Sequence, residues 1–194
     1  MSLWPQKKYK TLTELVHACQ RQEPRAQTLL YDRYKGRLMG ICLRYARSLA
    51  EAEDIFQESL LRVFANIEEV KSPESVDGWV KAVVVRTAIN YYHRTTRQEL
   101  KNAPLDNLNN SLESNEYERI IDHIHFDALL GIINQLPDGY RLIINLHLID
   151  GYTHTEIADM LSIADSTSRS QYMRGRNLLL TKLKELGITC HETN

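Results

Sequence analysis

"YTHTEIADMLSIADSTSRSQYMRGRN" occupies Tyr152–Asn177. It contains two short helical patterns with a turn between them. "THTE" (Thr153–Glu156) is a capping box: the threonine hydroxyl can accept from an early helix N–H while the glutamate reaches back to the cap. Ile157, Ala158 and Leu161 then supply a buried stripe. "SIAD" (Ser162–Asp165) makes the turn, with Ile163 plugging the angle between the helices. In the second helix Ser168, Tyr172, Gly175 and Leu179 share a face, and its small members allow close packing on the first helix. Arg169, Ser170, Met173 and Arg174 point the other way, flanked by Gln171 and Arg176. This is the pattern of a helix-turn-helix, whose second helix enters the major groove. There an arginine can pair bidentately with guanine and a methionine can touch a thymine methyl, while the flanking Gln171 and Arg176 suit phosphates. Gene regulators and polymerase subunits share this shape, so the rest of the chain has to choose between them.

Net charge over the 194 residues is −1, but the charge is unevenly spread. Glu51–Val70 carries a local balance of −5 and Lys81–Lys101 one of +4. Asn102–Asp122 returns to −4, and Ser166–Lys184 reaches +5 with no acid at all. Two basic patches separated by acidic stretches predict two polyanion-binding surfaces, with other surfaces that repel DNA. Composition is that of a globular protein, 43% hydrophobic and 25% charged. No stretch approaches the roughly 20 apolar residues of a membrane span, and the first residues lack the apolar core of a secretory signal. Cys19, Cys42 and Cys190 form no CxxC and no even-numbered framework, which fits a reducing cytoplasm.

The chain reads as all helix. Pro24, Pro73, Gly78, Pro104, Pro137, Gly139 and Gly151 punctuate candidate helices at about 11–21, 25–47, 49–67, 77–97, 115–135, 138–149, 154–161 and 166–186. The Asn- and Ser-rich stretch "QELKNAPLDNLNNSLESN" (Gln98–Asn115) reads as a linker. The expected organisation is two small helical domains, 11–97 and 116–187, joined by a flexible segment at 98–115.

Two further helices carry information. "SLAE" (Ser48–Glu51) is a second capping box, and Ala52, Phe56, Leu60, Val63 and Ile67 form the expected core face of the helix it starts. Asp54, Gln57, Glu58 and Leu61 lie opposite, at i, i+3, i+4 and i+7. A leucine ringed by Asp, Gln and Glu suits either plain solvent or a partner helix. In 77–97 the run "WVKAVVV" is apolar nearly all round and should be buried. Beyond it Arg86, Asn90, His93, Arg94 and Arg97 share a face, a spacing that can follow a phosphate backbone. Tyr91 and Tyr92 point elsewhere and are expected in the core.

Enzyme readings find little support. His123 and His125 form HxH, and His147 and His154 lie later, but no Cys/His spacing has a zinc pattern. No nucleotide loop or triad signature is present, so neither a metal nor a cofactor is expected and the chain is read as a non-enzyme.

"AEAEDIFQESLLRVF" (Ala50–Phe64), "DGWVKAVVVRTAINYYHR" (Asp77–Arg94) and "LPDGYRLIINLHLIDGYTHTEIADMLSIADSTSRSQYMRGR" (Leu136–Arg176) follow "YDRYKGRLMGICLRYAR" (Tyr31–Arg47) in that order. In this combination the chain resembles an extracytoplasmic-function sigma factor, a small two-domain bacterial transcription initiation factor. The resemblance covers roughly 11–186. It implies that the AED-x-x-QE helix, with Asp54, Gln57, Glu58 and Leu61, grips the coiled coil of the beta-prime clamp of core RNA polymerase. It implies that the helix from Trp79, with Arg86, Asn90, Arg94 and Arg97, handles the minus-ten promoter element, where the duplex opens. The loop "NIEEVKSPESVDG" (Asn66–Gly78) matches by position the region that receives a flipped base. The helix-turn-helix, through Arg169, Ser170, Gln171, Met173, Arg174 and Arg176, would read the minus-thirty-five element while its domain meets the beta flap. The acidic linker would lie in the RNA exit path, and an anti-sigma factor is a further partner that the family allows. Departures from the family pattern are Arg86 for a common Asn, Ser162 for the turn glycine, Ala164 for the capping serine and Ser168 for a common valine. Ala164 cannot cap, which shifts the expected cap to Asp165 or Ser166. A stand-alone helix-turn-helix regulator is the alternative function; it would not need the clamp-type helix.

Overall fold

The computed structural model describes residues 9–96 and 126–187, all of them in helices, turns or short connections. The chain divides into two compact units, Met1–Tyr91 and Tyr92–Asn194, with the division falling in the last turns of one helix. The expected linker at 98–115, most of the expected helix at 115–135, His123 and His125, and Arg97 lie outside the described residues.

The first unit is built from α1 (Leu12–Gln20), α2 (Pro24–Tyr45), α3 (Leu49–Ala65) and α4 (Val76–Thr96). Each start has a local cause. Thr11 caps α1 by accepting from Glu14 N–H, and α2 opens on a proline, whose missing N–H would have had no partner there. Ser48 caps α3 by accepting from Glu51 N–H at 3.2 Å, while the Glu51 carboxylate accepts from the Arg47 N–H at 2.8 Å. The core face of α3 is Ala52, Ile55, Phe56, Ser59 and Val63. Leu60, expected in the core, is only half-buried, and Ser59 takes its place. The serine hydroxyl can enter the core because it donates to the Ile55 carbonyl at 2.7 Å.

Between α3 and α4 the chain forms two 3₁₀ turns, Ile67–Glu69 and Pro73–Ser75. Ile67, Val70 and Val76 are buried beneath them. The Gln20 side-chain amide donates to the carbonyls of Ile67 and Val70, at 3.2 and 3.0 Å, and so ties this segment to the end of α1. The start of α4 is tied to α2, where Tyr34 donates to Asp77 at 2.5 Å. Burial first, then that hydrogen bond, pushes the Tyr34 hydroxyl up to about 12. Cys19 and Cys42 are buried free thiols, which burial holds well above the usual thiol range.

The second unit contains α5 (Phe126–Ile133), α6 (Asp138–Ile144), α7 (His154–Leu161) and α8 (Asp165–Glu185). Leu129, Ile132, Ile133, Leu136, Ile144, Leu179, Leu180 and Leu183 form its core. Each such side chain stabilises by roughly 1.5–3 kcal/mol when fully buried. The expected helix at 138–149 is α-helical only to Ile144 and continues as a π turn, Asn145–Ile149. Gly151, at φ 81, then reverses the chain into the Thr153 cap. Such wider turns leave no periodic trace in a sequence. Among the described residues, no helix is long and apolar enough to cross a membrane.

Candidate nucleic-acid and protein interfaces

α7 and α8 form the helix-turn-helix. The capping box is complete: Thr153 Oγ1 accepts from Glu156 N–H and Glu156 accepts from Thr153 N–H. The turn passes through Ser162, held at φ 53 and ψ 47, a left-handed conformation that a glycine adopts without steric cost. α8 begins at Asp165, with Ala164 in the cap position and no side-chain cap bond. The cap therefore stays at Ala164, without a cap hydroxyl, and does not move to Asp165 or Ser166.

The exposed face of α8 presents Arg169, Ser170 and Met173, with Arg174 half-buried at its edge. Met173 is 46% exposed, unusual for a side chain that prefers a core. Gln171 and Arg176, expected to flank this face and meet phosphates, are instead 7% and 8% exposed. Their side chains are largely covered within the second unit. Gly175 also departs from expectation. A β-carbon there would lie 3.1 Å from Tyr140 Cβ and 3.2 Å from Ile144 Cγ1, so α8 approaches α6 closely at this point rather than α7.

Ser168 has a partner that the sequence did not announce. His154 Nδ1 lies 3.0 Å from Ser168 Oγ. The His154 ring stacks on His147, with centroids 4.2 Å apart, and Tyr172 stands edge-on to both. His147 Nδ1 donates to the Tyr152 carbonyl at 2.8 Å. Burial, and then the neighbouring His147, hold the His154 pKa below its ordinary value. The polar Ser168 is thus paired with a polar His154 across the two helices. Asp165 joins them a second time: it accepts from Arg169 Nε at 2.5 Å through Oδ1 and from Thr155 Oγ1 at 3.2 Å through Oδ2. An acid and an arginine at i and i+4 were legible as a helical pair. The basic stretch that draws the eye, however, starts one residue later, at Ser166.

In the first unit the face of α3 opposite the core is open. Asp54, Gln57 and Leu61 are exposed and Glu58 is half-buried. Leu61, at 73%, is the most exposed of the large hydrophobic side chains described. Glu58 accepts from Arg62 at 2.7 Å. The Tyr91 hydroxyl lies 3.5 Å from Asp54 Oδ2, so this tyrosine, expected in the core, instead reaches the edge of that face. Tyr92 is buried as expected. On α4, Arg86, Asn90 and Arg94 are exposed and His93 is half-buried. Trp79 is half-buried at the helix start, and the "WVKAVVV" run is not wholly inside: Val80, Val84 and Val85 are buried, whereas Lys81, Ala82 and Val83 are intermediate. Among the described residues no group of His, Cys, Asp or Glu could hold a metal ion.

Two family models match the chain. Residues 30–98 match sigma-70 region 2, and residues 126–179 match sigma-70 region 4. The chain is 27% identical over 188 residues to the ECF RNA polymerase sigma-E factor of Haemophilus influenzae, covering 89% of this chain and 95% of that one. It is 27% identical over 168 residues to the ECF RNA polymerase sigma factor SigW of Bacillus subtilis, covering 81% and 88%. A solved sigma factor RpoE from Bartonella quintana, in complex with the anti-sigma factor NepR, overlays with a TM-score of 0.47 at 18% identity, covering 81% of this chain and 96% of that one. Region 2 followed by region 4, with a helix-turn-helix in the latter, makes this chain a member of the extracytoplasmic-function sigma factors, non-enzymatic proteins that bind core RNA polymerase and promoter DNA and direct promoter-specific transcription initiation.

Proposed function

We propose that three exposed faces divide the work of initiation. The α3 face of Asp54, Gln57, Glu58 and Leu61 binds core polymerase at the coiled coil of the beta-prime clamp. The α4 face of Arg86, Asn90 and Arg94, with Trp79 at the helix start and Arg97 beyond the described residues, lies against the minus-ten element where the duplex opens. The α8 face of Arg169, Ser170, Met173 and Arg174 reads the minus-thirty-five element, and the second unit docks on the beta flap. The setting is the cytoplasm, where polymerase and chromosome meet.

One observation carries the polymerase assignment: the exposure of Leu61 among polar neighbours, on a helix whose other face is fully used. Covering a leucine on binding is worth roughly 1.5–3 kcal/mol if its burial is complete. Asp54 and Gln57 can accept or donate around it, and the Glu58–Arg62 pair is an exposed one of small worth that a partner can exchange. Gln57→Ala combined with Leu61→Arg should abolish assembly of the holoenzyme in a pull-down with core polymerase. Changes at such exposed positions shift folding stability by only about 0.5 kcal/mol, so the helical circular dichroism should stay as in wild type. A double variant that still assembles like wild type would remove this face from the interface.

A further inference from the structure

We propose that Asp165 is a positioning residue for base readout: it holds Arg169 from one side and Thr155 from the other, and so aims the terminal fork of the arginine outward. The proposal rests on the reading of the α8 face given above, because it acts through Arg169.

The geometry has three parts. Asp165 is the first residue of α8, and Arg169 stands one turn later on the same face. The carboxylate divides its two oxygens between two helices, Oδ1 accepting from Arg169 Nε at 2.5 Å and Oδ2 from Thr155 Oγ1 on α7 at 3.2 Å. The bond to Arg169 is made at Nε, so it leaves the two terminal nitrogens, which form the end-on fork that matches the O6 and N7 of a guanine. Arg169 remains well exposed while held in this way.

Stability does not explain the arrangement. An exposed pair at i and i+4 adds little to folding. It does restrict the arginine rotamers before DNA arrives, and a side chain already held in its bound conformation loses less freedom on binding. The price is a negative charge beside a DNA-reading face, which lowers affinity for every sequence. The hydrogen bond from Arg169 holds the Asp165 carboxyl below the usual carboxylate range, so the charge is present throughout the neutral range. Giving up general attraction to gain selectivity is a recurrent way of building specificity.

The two effects can be measured separately. Holoenzyme assembled with full-length variants would be competed against double-stranded promoter fragments randomised across the minus-thirty-five element. Arg169→Ala should flatten the preference at one position. Asp165→Ala should weaken the preference at that same position by about threefold to tenfold, roughly the loss of part of one bidentate pair. Its overall affinity for non-specific fragments should rise. Asp165→Asn keeps an acceptor without the charge and should retain part of the preference, and Thr155→Val should show the smallest loss. The double variant Asp165→Ala, Arg169→Ala should be no less selective than Arg169→Ala alone. A merely structural role for Asp165 would lower binding to all sequences alike, and that result overturns the proposal. So does a wild-type preference in Asp165→Ala when Arg169→Ala has lost it. If Arg169→Ala itself leaves the preference untouched, the α8 reading fails, and the positioning role falls with it.

Discussion

The two helices of the helix-turn-helix begin in opposite ways. α7 starts on a complete capping box, with Thr153 and Glu156 satisfying each other's backbone. α8 starts on Ala164, which offers its first turn no side-chain acceptor, and it is reached through a serine in a left-handed conformation. Local sequence defines the first helix; the second takes its place largely from what it touches. Those contacts are the close approach of Gly175 to α6, the Ser168–His154 pair and the Asp165 bridge to Thr155. A helix whose start is set by tertiary contacts depends for its position on the integrity of the whole second unit.

The sharpest way to break this contrast is to attack the packing of α8 directly. Gly175→Val would force its side chain against Tyr140 Cβ and Ile144, whose near atoms lie close to the backbone and have little room to give. Overpacking of this kind costs typically about 1–3 kcal/mol, and the upper part of that range is expected in urea titrations followed by circular dichroism. A loss below about 0.5 kcal/mol would mean that α6 and α8 can separate freely. A smaller, paired effect concerns the caps. Thr153→Ala should destabilise by about 1 kcal/mol, and Ala164→Ser should stabilise by a similar amount, because each removes or adds one cap acceptor. If Ala164→Ser brings nothing, the first turn of α8 is already satisfied by other means.

The smallest effect is the dependence on pH. His154 faces His147 from the π turn, Tyr172 and Arg169 from α8, and Asp165, which alone among them favours its protonated form. Its pKa in the folded chain is lowered, so between the two pKa values the unfolded chain binds more protons. The stability tied to its neutral form is therefore present above the ordinary histidine value of about 6.5, and is lost as pH falls through the folded value. His154→Phe should reduce the fall in unfolding midpoint between neutral and mildly acidic pH. An identical fall in both proteins would assign the loss to other groups.

How much of this could be read beforehand differed from place to place for physical reasons. The capping box of α7, the Ser48 cap of α3, the exposed Leu61 face and the two-helix motif are legible because caps and helical periodicity are local. The return half of the box expected at Ser48 does not form, since Glu51 accepts from the Arg47 N–H instead. The burial of Gln171 and Arg176 is not legible, because polar side chains are exposed by default and nothing in their spacing announces a covered position. The close approach at Gly175 is legible from its lack of a side chain, but its target, α6 rather than α7, is not. Ser59 displaced Leu60 from the core because a hydroxyl bonded to its own helix loses most of its polarity. The Ser168–His154 pair joins residues 14 apart, beyond the reach of a helical wheel.

Trp79, half-buried where α4 begins, has one more consequence, and it is optical. Among the described residues Trp79 is the only tryptophan, and it lies in the first unit. Emission from Trp79 therefore follows the first unit and does not report on α7 and α8, while backbone dichroism sums both units. Recorded together on one sample, the two signals coincide if the units unfold as one and part company if they unfold in turn.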